Sequence, residues 1–360
     1  MIVDVNLGSR SYCIVVASGE LQSVGQRLRE LRLGTRAALV SDAAVMRLYG
    51  KTVVASLEAA GFTVTTIDVP EGEAAKTLTV AQHCWDQLLT AGLDRTSTVL
   101  ALGGGAVGDV AGFAAATYMR GINFVQLPTT VLAQVDASIG GKTAIDHPLG
   151  KNMIGAFHQP RLVVVDPAVA RTLPEREFRS GLAEIVKHGI VLDASYFAEL
   201  ERDLAPLAAR DLGVLERIIG GSCRLKASVI ERDEREAELR HVLNYGHTIG
   251  HALEASTGYA RYTHGEAVAL GIVAEARLAW RLGIADEETT TRQERMLDTL
   301  GLPVRAPSID VEPVVTAMAR DKKAKDGRIP FVLAPRIGEF RLVYDVPSAE
   351  IRAAIASLGL

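Results

Sequence analysis

The stretch VLALGGGAVGDVAGFAAATYMRG, residues 99–121, decides the reading of the fold. A run of β-branched and aliphatic residues leads into Gly103, Gly104, Gly105 and Gly108, and a helix rich in small residues follows at once. Glycines allow a tight turn and let backbone N–H groups approach an anion at the helix N-terminus, where the helix dipole favours negative charge. Gly103, Gly105 and Gly108 match the G-x-G-x-x-G spacing of loops that cradle a dinucleotide pyrophosphate. Two features depart from the ordinary form. The loop is not the first strand-to-helix turn of the chain, and no acidic residue stands about 20 positions beyond it; Asp109 follows the last glycine directly instead. A glycine-rich turn with no ligand is the plain alternative.

Outward from this loop, strand-like and helix-like segments alternate over the first 170 residues. SYCIVVA (11–17), RAALVSD (36–42), TVTTIDV (63–69), TSTVLALGGG (96–105), NFVQLPTT (123–130) and RLVVVDP (161–167) are β-branched runs that end in, or are soon followed by, Gly, Asp, Thr or Pro. Segments 43–60 and 77–92 carry apolar residues at helical spacing. Such alternation predicts a parallel sheet with helices on both faces. From about Arg171 the period turns helical through residues 174–320, and IPFVLAPRIGEFRLVYDV (329–346) predicts a late β-hairpin about Gly338. With 360 residues to place, more than one ordinary core is needed. We expect an α/β domain at 1–170 and a mainly α-helical domain at 171–360.

Composition narrows the function classes. Hydrophobic residues make up 48% and charged residues 23%, as in ordinary globular chains. A formal net charge of −4 offers no footprint for nucleic acid or an anionic membrane, so functional cations must be gathered locally. No apolar run reaches the roughly 18 residues of a membrane span, and the start MIVDVNLGSR does not read as a secretory signal. Cys13, Cys84 and Cys223 are odd in number and widely spaced, which reads as reduced thiols of a cytoplasmic protein.

The second half holds candidate metal ligands. LNYGHTIGHALE (243–254) places His247 and His251 at i and i+4 on one helical face, a spacing that can chelate zinc and that structural histidines also adopt. In THGEAVALG (263–271) His264 opens another helix, and GLAEIVKHG (181–189) aligns Glu184, Lys187 and His188 on one face. Three histidines and a glutamate on three helices are the makings of a metal site with an open position; spacing alone selects His247 and His251 as the pair. Cations stand out elsewhere. DASIGGKTAIDHPLGKNMIG (136–155) is glycine-rich yet carries Asp136, Lys142, Lys151 and Asn152, and a lysine beside glycines commonly meets a phosphate. KASVIERDEREAELR (226–240) reads as a charge-rich, mostly solvated helix from which Lys226 and Arg240 could be exceptions, and DKKAKDG (321–327) as a basic loop. After two other strand ends, Asp42 could reach a ribose, and EGEAAK (71–76) could offer Glu73 and Lys76 to the same ligand.

Taken in order, EGEAAK, GGGAVGDVAGF, QLPTT, VDASIGGKT, GKNMIGAFHQP, GLAEIVKHG, LNYGHTIGHALE, HGEAVALG and DKK closely resemble the 3-dehydroquinate synthases, among the sugar-phosphate cyclases, over essentially the whole chain. The resemblance implies a cytoplasmic homodimer whose N-terminal α/β domain binds NAD and whose helical C-terminal domain binds metal and substrate. It implies zinc, with cobalt as a possible substitute, on Glu184, His247 and His264, which leaves His251 as an active-site residue. NAD would lie against Asp42, Glu71, Gly72, Glu73, Lys76, Gly105, Ala106, Val107, Gly108, Asp109, Thr129 and Thr130, with Lys142 and Lys151 near it.

The substrate implied is 3-deoxy-D-arabino-heptulosonate 7-phosphate, converted to 3-dehydroquinate and phosphate in the shikimate pathway. Its phosphate would meet Lys142, Asn152, Lys323 and an Arg120 from the partner subunit. Lys226 and Arg240 would hold its carboxylate, and Asp136, Lys142, Lys187, Asn244 and His251 would serve the reacting centre. The implied course is oxidation, elimination of phosphate, reduction, ring opening and aldol closure. Two departures are visible: Glu238 where a glycine is expected, and TAID with Ala144 in place of TG followed by Val or Ile and Asn. Competing readings are a sister sugar-phosphate cyclase, a NAD- and metal-dependent polyol dehydrogenase, and an inactive NAD-binding scaffold.

Overall fold

The computed structural model describes residues 1–319 and 330–359. They form two compact units, Met1–Leu173 with Leu215–Glu234, and Pro174–Val214 with Arg235–Leu360.

The first unit is built on a seven-stranded sheet. Its strands are β1 (Ile2–Val5), β2 (Tyr12–Val16), β3 (Arg36–Asp42), β4 (Thr63–Val69), β5 (Thr98–Gly103), β6 (Asn123–Pro128) and, later in the chain, β9 (Leu162–Val165). The order is β1-β2-β9-β6-β5-β3-β4, and every neighbouring pair is parallel except β1 with β2. Both faces are covered, which is why β5 is apolar without alternation. Val99 and Ala101 enter one core with Val110 and Ala111, while Leu100 and Leu102 enter the other with Val53 and Leu57. The carboxyl ends of β3, β4, β5 and β6 deliver Asp42, the turn 71–76, the glycine loop and Thr129 to one edge of the sheet, where open parallel sheets place their ligands.

Two features of this unit differ from the sequence reading. Residues 142–157 form an antiparallel hairpin, β7 (Lys142–His147) with β8 (Gly150–Phe157), in a glycine-rich stretch where the sequence reading named no strand. Residues 215–234, expected in the second domain, pack with the first unit. Helical period shows that Leu212–Arg232 is a helix but not what its apolar face meets. Here Cys223 donates to the Gln134 carbonyl at 3.3 Å, and Glu216 accepts the Ser18 N–H at 3.1 Å. Nor does the charged run 226–240 stay helical. The helix ends at Arg232, where Asp233, Glu234, Glu236 and Glu238 would oppose its dipole, and Glu236 takes φ 59°.

The second unit is mainly helical, as expected. Helices Glu175–Leu192, His247–Ser256 and His264–Arg281 carry the candidate ligands, with Ala194–Arg202, Glu287–Thr299, Val311–Ala319 and Ser348–Ser357 around them. The expected late hairpin is present as β10 (Phe331–Leu333) against β11 (Arg341–Val343). Between these strands Gly338 takes φ 88° and donates its N–H to the Ile190 carbonyl at 2.7 Å.

Candidate active site

In the first unit the glycine loop opens helix Gly105–Thr117 with no side-chain cap on Gly104. The first intrahelical bond runs from Gly108 N–H to the Gly104 carbonyl at 3.1 Å, so the N–H groups of Gly105, Ala106 and Val107 point out of the helix end, a ready anion seat. A Cβ on Gly108 would lie 2.9 Å from Gln126 Oε1 on β6, so glycine is what lets this helix sit against the sheet. Thr129 N–H closes the loop onto the Gly103 carbonyl at 2.9 Å, and the Thr130 hydroxyl accepts Ala133 N–H at 3.1 Å. Asp42 is buried and caps the next helix, accepting Ala44 and Val45 N–H at 2.9 Å through Oδ1.

Lys76 is the centre of charge here. Its ammonium lies 2.8 Å from Asp109 Oδ2, 3.8 Å from Glu73 Oε2 and 3.9 Å from Asp146 Oδ1, and it donates to Asn152 Oδ1. Lys151 Nζ lies 3.8 Å from Glu73 Oε1. Thus the turn 71–76, the glycine helix and the hairpin converge, and five residues singled out from the sequence meet in one network. Asp146 was missed as a participant. It accepts Asn152 N–H at 2.7 Å and holds that residue at φ 56°; the only signal was its place in the TAID departure. Loss of solvent raises the Asp109 carboxyl to about 6 against the pull of Lys76, while the three carboxylates raise Lys76 against its own burial.

Lys142 and Arg120 also lie in this unit, at the start of β7 and in a turn where Met119, Arg120 and Gly121 all take positive φ. Lys226 is buried and bonds to Asp136 through both the carboxylate, at 2.5 Å, and the carbonyl, at 2.6 Å. Ala144 faces Gly155 across the hairpin, so the extra methyl of the TAID departure meets no side chain there.

In the second unit three helices bring Glu184, His247 and His264 together. Glu184 is fully buried in the middle of Glu175–Leu192. Its Oε1 lies 3.3 Å from His247 Nε2 and 3.5 Å from His264 Nε2, while Lys187 pairs with Oε2 and donates to the Leu243 carbonyl at 2.7 Å. The outward nitrogens are committed: His247 Nδ1 lies 3.0 Å from the Tyr245 carbonyl, and His264 Nδ1 3.4 Å from Glu254 Oε2. With Nδ1 committed in this way, Nε2 is the nitrogen each ring turns to Glu184, and the one a bound cation would take in place of a proton.

The spacing-based pair His247 and His251 is therefore corrected. Their rings touch edge to face at 5.1 Å, but Glu184 faces His264 as the second imidazole, and His251 groups with Glu254 and His264 instead. Sequence spacing sees one helix at a time, whereas this set is closed by the packing of three. Gly246, at φ 77°, and Gly271 allow it: a Cβ on Gly271 would lie 1.9 Å from the Gly246 carbonyl oxygen. Glu254, which orients His264, was not singled out, although it sits inside the quoted LNYGHTIGHALE block.

The electrostatics are those of a cation seat. Burial opposes charge on Glu184, but Lys187 and the two imidazoles outweigh it and hold the carboxyl well below its usual range. Burial and Lys187 lower His247, whereas Glu184 and Glu254 overcome burial and raise His264 to about 10. One carboxylate and two imidazoles are the donor set of a catalytic zinc or cobalt site, and their chemistry fits such an ion. In the same unit Arg240 is buried in the short turn Leu239–Asn244, and Asn244 Nδ2 donates to Glu236 Oε1 at 3.3 Å. Glu238 takes φ −148°, so no glycine is required there. Lys323 lies outside the described residues.

Residues 66–180 match the family described as 3-dehydroquinate synthase N-terminal, and residues 181–324 the one described as 3-dehydroquinate synthase C-terminal. A 3-dehydroquinate synthase of Geobacter metallireducens is 53% identical over 339 residues, covering 94% of each chain. Among solved structures, the 2-epi-5-epi-valiolone synthase ValA of Streptomyces hygroscopicus, with NAD+ and Zn2+ bound, superposes with TM-score 0.88 at 30% identity over 96% of each chain. A 2-deoxy-scyllo-inosose synthase complexed with carbaglucose-6-phosphate, NAD+ and Co2+ gives TM-score 0.90 at 26% identity, over 99% of this chain and 100% of the other. Matched by both halves of the family and by a relative identical at half of its positions, the chain belongs to the 3-dehydroquinate synthase family.

Proposed function

We propose that the protein is a NAD- and metal-dependent lyase that converts 3-deoxy-D-arabino-heptulosonate 7-phosphate to 3-dehydroquinate and phosphate. The observation that carries the reading is the Glu184, His247 and His264 set, with both Nε2 atoms turned to one buried carboxylate and both Nδ1 atoms committed elsewhere. In this reading these three residues hold zinc or cobalt, and the edge of the parallel sheet holds NAD. Bound there, NAD would supply reversible hydride acceptance, and the metal would supply Lewis acidity toward the substrate hydroxyls.

The chain's own residues bind and orient. Backbone N–H groups of Gly105, Ala106 and Val107 seat the pyrophosphate, flanked by Asp42, Glu71, Gly72, Gly108, Thr129 and Thr130. The Glu73, Lys76, Asp109 and Lys151 network fixes the adjoining loops. Lys142, Asn152, Lys323 and a partner's Arg120 neutralise the leaving phosphate, Lys226 and Arg240 take the carboxylate, and Asp136, Lys187, Asn244 and His251 surround the reacting hydroxyls. We further propose a cytoplasmic homodimer. The exposed apolar side chains Leu149, Met153, Ile154 and Phe157 along the β7–β8 hairpin support association. Among the described residues no helix is long and apolar enough to cross a membrane.

The test follows phosphate and NADH together, using the heptulosonate phosphate and catalytic NAD. Phosphate should be released steadily while NADH absorbance stays flat, because the hydride goes out and returns. Stoichiometric NADH would indicate a polyol dehydrogenase instead, and preference for sedoheptulose 7-phosphate a sister cyclase.

A further inference from the structure

Beneath His247 lies a buried carboxylate that the proposed chemistry does not use. Glu275 sits three turns along helix His264–Arg281 and is fully buried, and its Oε2 accepts the Gly246 N–H at 2.7 Å. That N–H belongs to the same peptide group whose carbonyl, on Tyr245, accepts His247 Nδ1–H at 3.0 Å. One planar amide therefore has a carboxylate on its N–H side and a histidine on its carbonyl side. The Tyr245 side chain is anchored as well, since its buried hydroxyl donates to Gln293 Oε1 at 2.6 Å. Gly246 takes φ 77°, and a Cβ there would lie 2.6 Å from Ile272 Cγ1, so the turn is pressed against the helix that carries Glu275.

We propose that Glu275 is a positioning residue for the metal centre, acting on His247 through the Tyr245–Gly246 peptide. A negative acceptor on the N–H draws the proton side of the amide toward itself and leaves more negative charge on the carbonyl oxygen, because hydrogen bonds in a chain polarise one another. The more basic carbonyl holds His247 Nδ1–H more firmly. That fixes the ring and the tautomer and strengthens Nε2 as a donor. It is the carboxylate–histidine–metal relation of metalloenzymes with a peptide bond inserted between carboxylate and imidazole. His264 has the direct version, with Glu254 on its Nδ1. The inference rests on the reading of Glu184, His247 and His264 as metal ligands and adds the charge behind one of them.

The experiment measures zinc affinity of the purified full-length protein by chelator competition, with the visible spectrum of the cobalt-loaded form as a second readout. Glu275→Gln keeps an acceptor for Gly246 and removes the charge. It should weaken zinc binding about tenfold or more, within the range of outer-shell substitutions, and shift the cobalt bands. In a His247→Ala background the same substitution should change affinity less than about twofold, since the path through His247 is gone. Parent-like affinity and spectrum in Glu275→Gln, or an equal loss in both backgrounds, would overturn the inference and leave the metal reading standing. If instead the parent binds no zinc, or His247→Ala binds it as the parent does, the metal reading itself fails and takes this inference with it. Should Glu275→Gln not fold, Glu275→Asp serves. Its shorter carboxylate should also lower affinity, and parent-like binding would count against the proposal.

Discussion

At Asp109, loss of solvent outweighs the attraction of Lys76 and carries the carboxyl up to about 6. A raised carboxyl favours its neutral form in the folded protein. The stability it contributes is therefore complete below its ordinary value near 4 and is lost as pH rises through about 6. A carbon-detected NMR titration should find this midpoint, and Lys76→Met should move it higher still, because the ammonium 2.8 Å away is what holds it down. A midpoint near 4 in either protein would contradict the geometry. Arg240 is the other residue whose role can be weighed singly. In the proposed function it grips the substrate carboxylate, and loss of one partner in a desolvated pocket costs on the order of 2–5 kcal/mol. Arg240→Ala should thus lower kcat/KM on the heptulosonate phosphate by about 30-fold or more, with zinc content and NAD binding intact. Unchanged kinetics would place the carboxylate seat elsewhere.

Helices His247–Ser256 and His264–Arg281 approach through glycine, and this contact sets the distance between His247 and His264. Gly271→Ala would put a methyl group 1.9 Å from the Gly246 carbonyl oxygen, where backbone must move. Overpacking of this kind costs typically about 1–3 kcal/mol. A variant that folds should melt lower and retain less zinc after dialysis, and unchanged zinc retention would show that the helix spacing does not govern the ligand set. The β7–β8 hairpin teaches the opposite lesson about elements. Its sequence alternates little, because β8 is exposed along most of its length and buries no continuous face. Period therefore showed no strand, although the lysines and Asn152 it carries were legible one by one.

For the whole molecule, a ligand that binds only the folded state stabilises it by mass action, about 2.7 kcal/mol at a concentration 100 times its Kd. Zinc held by Glu184, His247 and His264 should raise the melting of the second unit by on the order of 5–10 °C over chelator-treated protein. Turnover should vanish on chelation and return with zinc or cobalt. Equal melting and full activity without metal would contradict the site.

By itself the sequence determined the parallel sheet, the helical second half and the blocks that carry the chemistry. Strand runs covered on both faces, glycine loops and helical periods are local patterns, set by residues that neighbour one another along the chain. Spacing pointed to His251 and the family resemblance to His264; the tertiary structure sets His264 beside Glu184 with His247, joins Asp146 to Lys76, and packs residues 215–234 with the first unit. These depend on which face of one element meets another. That choice is made by close approach at glycines and by burial of charge between distant segments, and spacing along a single helix does not encode it.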